Sequence, residues 1–195
     1  MSTSTTFVRA SEYSPSTPQS YDSPLAGVGG GQHRAIKSEG KHLVLLAPDC
    51  YVKPCVNGRG HPFLVLDHVK SPQLMAALEA ARQRCLTDLA ISEDKFRPLL
   101  SQSRSLIKRP PAYCLNMTPK ATLKDLNKQP VDYESIQGKS CKMTLLVHLS
   151  SVFQNDEGMA SLQVRVSQMM LQEIAPTFEV EQVELDEVEN IEELL

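Results

Sequence analysis

The chain has 195 residues, 41% of them hydrophobic, with no Trp and a formal net charge of −3. This length fits one domain with appendages or two small domains, and the hydrophobic content is enough for a core. The longest apolar runs, LVLLA (43–47) and FLVL (63–66), are far shorter than the roughly 20 residues that a membrane-spanning helix needs. The first residues contain no apolar signal region, so we expect an intracellular, non-secreted protein with five reduced cysteines.

Residues 1–40 form the first of three zones along the chain. They are rich in Ser, Thr, Pro and Gly and end in PLAGVGGGQHRAIKSEG. Such a composition buries too little apolar surface to offset its ordering entropy, which predicts a flexible N-terminal arm. The short stretch TTFVRA near its start could still dock as an edge strand.

Residues 41–175 carry the folding signals of a single domain. KHLVLLAPDCYVKPCV predicts a strand, a break at Pro48, and a second short strand stopped by Pro54. An Asn57-Gly58 turn then leads into another strand. SPQLMAALEAARQRCLTDLA predicts the one main helix, with Ser71 as N-cap and Pro72 in the first helical position. Apolar side chains recur on one face of that helix at spacings of three and four, namely Leu74, Leu78, Ala81, Cys85 and Leu89.

Two further strands are predicted near the end of this zone. CKMTLLVHL and SLQVRVSQMML each contain alternating apolar and polar residues, the pattern of strands with one buried and one wet face. FQNDEG between them predicts a hairpin loop. Five or six strands surround a single helix, whereas a parallel α/β sheet would need several crossover helices. The fold class is therefore predicted as mainly β, an OB-like Greek-key barrel with one main α-helix.

The sequence contains none of the short motifs that mark common enzyme classes, and it predicts neither an enzyme nor a cofactor. AGVGGGQHR is rich in glycine, but no predicted strand precedes it and no amphipathic helix follows, so it is interpreted as a linker. Cys50, Cys55, His61 and His68 lie close together in the sequence, yet their spacing differs from that of structural zinc sites. No metal site is predicted.

Basic residues are spread through the middle zone, with aromatic residues between them on or beside predicted strands. Cations along phosphates and flat rings beneath bases are what single-stranded nucleic acid binding requires. Solvated lysines and core aromatics are the plainer interpretation of each residue taken alone. Six residues are the predicted contacts: Lys142, Arg165, Lys108, Arg109, Tyr113 and Phe153.

The segment PAYCLNMTPKATLKDLNKQPVDYESIQGKSCKMTLLVHLSSVFQNDEGMASLQVRVSQMML resembles the C-terminal half of OB-fold single-stranded-DNA-binding proteins of large DNA viruses. HLVLLAPDCYVKPCVNG followed by the helix resembles their front half. The resemblance lies in the order and pattern of elements over residues 40–172. It implies a non-enzymatic protein of DNA replication or recombination whose partner is single-stranded DNA, with a homo-oligomer left open.

Residues 176–195 form a strongly acidic tail with eight carboxylates and no Lys or Arg. The preceding 175 residues carry 20 basic side chains against 15 acidic ones, a net charge of +5. Single-stranded-DNA-binding proteins of bacteria and short-tailed phages are similar in ending with acidic tails. The resemblance implies a tail that competes with DNA for the cationic groove and recruits replication proteins. The carboxylates chosen for this role are Glu184, Asp186, Glu187, Glu189, Glu192 and Glu193.

Two other roles of the tail stay open at this point. Its apolar residues have roughly helical spacing, so it could dock on a partner as an amphipathic helix, or it could only improve solubility. A different class of function also stays open. The chain could be a structural or virion-assembly protein that clamps its neighbours with the arm and the tail.

Overall fold

A computed structural model of the chain describes residues 5–27, 31–100 and 113–175. The nine strands within these ranges are β1 Thr5–Arg9, β2 Ser20–Tyr21, β3 Leu25–Ala26, β4 Gln32–Ser38, β5 Lys41–Val56, β6 Pro62–Leu66, β7 Tyr113–Lys124, β8 Cys141–Gln154 and β9 Ala160–Ile174. The α-helices are α1 Pro72–Asp88 and the short α2 Tyr133–Ile136. The prediction of a mainly β protein with one main helix is confirmed.

Helix α1 begins as its sequence predicts, with Ser71 as N-cap and Pro72 in the first turn. The hydroxyl of Ser71 does not cap the helix, however. It accepts a hydrogen bond from the backbone N–H of Tyr51 on β5 (2.8 Å) and so ties the start of the helix to the sheet. Leu74, Leu78 and Cys85 are fully buried on the inward face, where each apolar side chain contributes about 1.5–3 kcal/mol relative to exposure.

The strands join one sheet whose order passes through β5, β6, β7, β9 and β8. β8 pairs in turn with β5, so the succession of pairings returns to the strand from which it began. β7 and β9 run parallel, and the other four pairings of this succession are antiparallel. The main helix lies in the connection between β6 and β7.

The two alternating strands behave as their sequences predict. Leu145, Val147 and Leu149 of β8 belong to the buried core, as do Val164 and Val166 of β9. The residues between them lie on the outer face and stay at least partly exposed. Asn155–Gly158 closes the predicted hairpin, with Gly158 at a positive φ of 82°.

Strand β5 corrects the prediction of two strands separated by Pro48. The chain remains extended from Lys41 to Val56, and the break appears as a register shift between Ala47 and Cys50 in the pairing with β8. Asp49 has a left-handed φ of 54° at this point. A bulge accommodates the proline because the local ladder is already interrupted there.

The prediction of a flexible arm over residues 1–40 is wrong for residues 5–27 and 31–40, which belong to the folded body. β1 pairs with β5, confirming the alternative that TTFVRA docks as an edge strand, while β4 pairs with β8. Ala10, Tyr13 and Ile36 are buried in the core. The few apolar residues of this zone suffice because existing strands supply backbone partners that its composition does not reveal.

Candidate nucleic-acid interface

Arg165 lies on the outer face of β9 and is exposed, as its place in the alternating strand predicts. Its register partners are His148 on β8 and Asn116 on β7. No carboxylate among residues 5–27, 31–100 and 113–175 forms an ion pair with it. Within these ranges its guanidinium is therefore without an anionic partner.

Arg165 belongs to a row of paired residues that crosses four strands. Phe63 on β6 pairs with Asn116, Asn116 with Arg165, and Arg165 with His148. We call these four residues the transverse row. Three strand spacings of about 4.8 Å make the row about 14 Å long. Phe63 and His148 are half-buried, and Asn116 and Arg165 are exposed.

The four side chains of the transverse row share the outer face because their neighbours along each strand point inward. The neighbours in the core are Leu64, Leu115, Val147, Val164 and Val166. A ring, an amide, a guanidinium and an imidazole are thus aligned on one surface. These groups supply base stacking, hydrogen bonding to base edges and phosphate binding side by side.

His148 is held in place by a hydrogen bond between its Nε2 and the hydroxyl of Ser167 on β9 (2.8 Å). Burial lowers the pKa of His148 below its usual value, because the charged imidazolium is poorly solvated there, and nearby His42 lowers it further. At neutral pH the row therefore presents a neutral imidazole beside the Arg165 charge.

Phe153 lies further along β8 and packs against His33 of β4, with ring centroids 4.8 Å apart and a tilt of 43°. Gly31 covers part of the same ring, since a Cβ at Gly31 would approach the ring atoms to 2.9 Å. The Gly31 N–H also donates to Asp156 Oδ1 in the β8–β9 loop (3.0 Å). Phe153 keeps partial exposure, so the structure leaves it at the surface as a smaller platform than the sequence suggests.

Lys142 lies at the start of β8, away from the transverse row, which crosses this strand near its middle. It lies six positions before His148, about 20 Å along an extended strand. Its Nζ forms an ion pair with Asp49 Oδ1 (2.9 Å). The hydrogen bond and the opposite charge lower the pKa of Asp49 and raise that of Lys142. The structure therefore does not bring Lys142 and Arg165 together, and it gives Lys142 a carboxylate partner.

Tyr113 is the predicted contact that the structure contradicts. It is 8% exposed and packs in the core, opposite Leu66 of β6. Burial raises the pKa of its hydroxyl because the phenolate would be poorly solvated. A base cannot stack on a ring enclosed in this way. Lys108, Arg109 and the tail carboxylates lie outside the described residues.

The six predicted contacts do not include Phe63, Asn116 or His148, although Phe63 is one of the aromatic residues that lie between the basic ones in the sequence. The outward position of His148 could be read from the alternation in CKMTLLVHL, and that of Asn116 from the alternation in YCLN. Their alignment with Arg165 could not be predicted from the sequence, because it depends on the register between strands that are distant in sequence.

A cavity of about 420 Å³ adjoins the transverse row on the outer face of β8 and β9. Leu46, Leu146 and Met170 contribute apolar surface to it. Lys124 and Lys128 contribute cations, and Asp125 contributes a carboxylate. Leu146 is two residues from His148 on the same outward face of β8. The cavity therefore begins at the next outward position along β8 from the row.

The cysteines and histidines considered for zinc stay apart. In the part of the chain that the structure describes, no three His, Cys, Asp or Glu side chains are grouped closely enough to hold a metal ion. Cys50 is buried, which raises the pKa of its thiol to about 12. Among the same residues, no helix has the length and apolar character needed to cross a membrane.

Comparison with known proteins leaves the site to be interpreted from its own geometry. No protein-family model matches the chain, and no curated protein sequence matches it significantly.

Proposed function

We propose that this chain is a sequence-tolerant single-stranded-DNA-binding protein that acts in DNA replication or recombination without being an enzyme. The observation that carries the proposal is the transverse row, in which Arg165 has no carboxylate partner among the described residues and lies in register with Asn116, His148 and, one strand further, Phe63. In this proposal Arg165 binds a phosphate, Phe63 stacks on a base, and Asn116 and His148 offer hydrogen bonds.

The proposal includes an OB-like barrel as the scaffold. Val44 on β5 pairs with His148, and the transverse row leads from His148 to Phe63. Phe63 in turn pairs with Cys55, which is also on β5 but eleven residues after Val44. A return to the same strand at a shifted position is the stagger that barrel closure requires. Five strands with Greek-key connections are the composition of the OB type, which binds oligonucleotides on the face of its second and third strands and on neighbouring loops.

The acidic tail has a regulatory role in this proposal. Its eight carboxylates present closely spaced negative charges, as DNA phosphates do, and so compete for the surface around Arg165. The nearby cavity would suit the tail, since it combines apolar side chains with two cations, Lys124 and Lys128, against one carboxylate, Asp125. DNA that displaces the tail frees it to recruit replication proteins.

The test is fluorescence anisotropy of labelled oligo-dT with the full chain and with a variant ending at residue 175. We expect both proteins to bind, and the shortened one to bind more tightly at low salt. Equal affinities would remove the competitive role of the tail. A stable oligomer with no affinity for oligo-dT would contradict DNA binding and support the assembly role instead.

A further inference from the structure

We propose that β1 adds a base-stacking position to the DNA-binding surface, and that its ring is Phe7. This inference rests on the proposed function and extends its surface to a strand from the zone that the sequence predicts to be a flexible arm. The ligand at this position is a nucleobase of single-stranded DNA, of any sequence.

The pairing of β1 places Phe7 in line with the transverse row. Phe7 pairs with Val44 of β5, and Val44 pairs with His148 of β8. Two strand spacings of about 4.8 Å therefore separate Phe7 from His148, about 10 Å in all. The row of paired residues thus continues from His148 across buried Val44 to a second phenylalanine.

The direction of the Phe7 side chain follows from its neighbour. Val8 packs against the hydrophobic core, so Phe7 points to the opposite, outer face of the strand. Phe7 is 61% exposed, and it belongs to an edge strand whose one pairing partner among the described strands is β5. A large ring on this face presents a flat apolar surface to solvent, and a nucleobase can stack on such a surface.

A cation accompanies the ring. Arg9 lies two residues after Phe7 and therefore on the same face of β1, with its side chain exposed. Its ion pair with Glu12 is 4.0 Å long and fully at the surface, so it competes weakly with a phosphate. Phe7 and Arg9 thus give β1 an aromatic ring beside a guanidinium. Phe63 and Arg165 supply the same two groups within the transverse row.

The chain contains five Tyr but no Trp, so a Phe7→Trp variant of the full chain carries a single tryptophan whose emission can be excited selectively. We expect oligo-dT to quench its emission, because a stacked base contacts the indole directly. The matched control is Val69→Trp, in the turn before α1, where the native residue is 74% exposed and lies outside the row. Its emission should stay unchanged at saturating oligo-dT.

Affinity measurements on non-fluorescent variants complete the test. Phe7→Ala should weaken oligo-dT binding about 5- to 150-fold, which corresponds to about 1–3 kcal/mol for one stacked base. Phe7→Leu keeps an apolar side chain but no ring and should be similarly weakened, while Val69→Ala should bind as the native chain does. Circular dichroism would verify that each variant is folded.

Three results would overturn the inference. If native protein binds oligo-dT but Phe7→Trp is not quenched and Phe7→Ala retains its affinity, Phe7 is not a stacking position and the proposed function stands. If Phe7→Ala instead changes the oligomeric state by light scattering and leaves affinity unchanged, β1 is a contact between two copies of the chain. If the native chain does not bind at all, both proposals fail.

Discussion

Arg165 on β9 and Lys142 on β8 lie at different levels of two neighbouring strands, and the same alternation of apolar and polar residues identifies both as outward cations. Their surroundings differ. Arg165 is exposed between His148 and Asn116, while Lys142 forms an ion pair with Asp49, which also accepts a hydrogen bond from Gln172 (3.4 Å). An outward cation is therefore an anion-binding candidate only where the fold brings no carboxylate to it, and that depends on residues far away in sequence.

The largest effect is expected when each of the two cations is replaced by a neutral amide. Arg165→Gln should weaken oligo-dT binding about 10- to 150-fold, the range for losing a hydrogen bond to a charged group. Lys142→Gln should change it less than about twofold, because the lysine is already compensated. Anisotropy titration measures both, with Arg97→Gln as the control for losing one exposed charge outside the row. Equal losses in all three variants would indicate non-specific electrostatic binding instead.

Removing the partner of Lys142 sharpens the same comparison. Asp49→Asn frees the ammonium while keeping a side chain that can hydrogen-bond, so oligo-dT binding should tighten by about two- to fivefold, the effect of one added surface charge. The double variant Asp49→Asn/Lys142→Gln should return to native affinity. Tightening that persists in the double variant would show that the freed Lys142 is not its cause.

The smallest expected effect concerns pH and the neutral His148 of the row. Its pKa is lower in the folded protein than in the unfolded chain, so the unfolded chain binds more protons as the pH falls. Stability should be fully present above the usual histidine pKa of about 6.5 and should decline below it. His148→Gln should flatten this decline in thermal melts between pH 7.5 and 5, whereas exposed His61→Gln should keep it. An unchanged profile for His148→Gln would assign the decline to other groups.

Much of the local structure could be predicted from the sequence because it depends on neighbouring residues. Ser71 and Pro72 mark the start of α1, and the two alternating strands place Arg165 outward and Val147 inward. Tyr113 could have been assigned to the core in the same way, since it alternates with exposed Cys114 and precedes buried Leu115. The prediction of Tyr113 as a contact rests on its aromatic ring and the nearby basic residues, whereas its inward position in the strand decides its burial.

The rest depends on pairing between distant segments. TTFVR and QHRAIKS have few apolar residues, and they become strands because β5 and β8 supply backbone partners. The transverse row needs the registers of three strand pairs, and neither composition nor periodicity contains them. The candidate site was therefore only partly predictable, with Arg165 found and its neighbours missed.

The most direct test of the central claim is the salt dependence of oligo-dT affinity for the full native chain and for Arg165→Gln. We predict that the logarithm of the association constant falls linearly with the logarithm of salt concentration, and that Arg165→Gln reduces this slope by about 0.7, the value for one phosphate contact on a single strand. Lys142→Gln should leave the slope unchanged. Binding that is absent, or that is insensitive to salt in the native chain, would contradict the account.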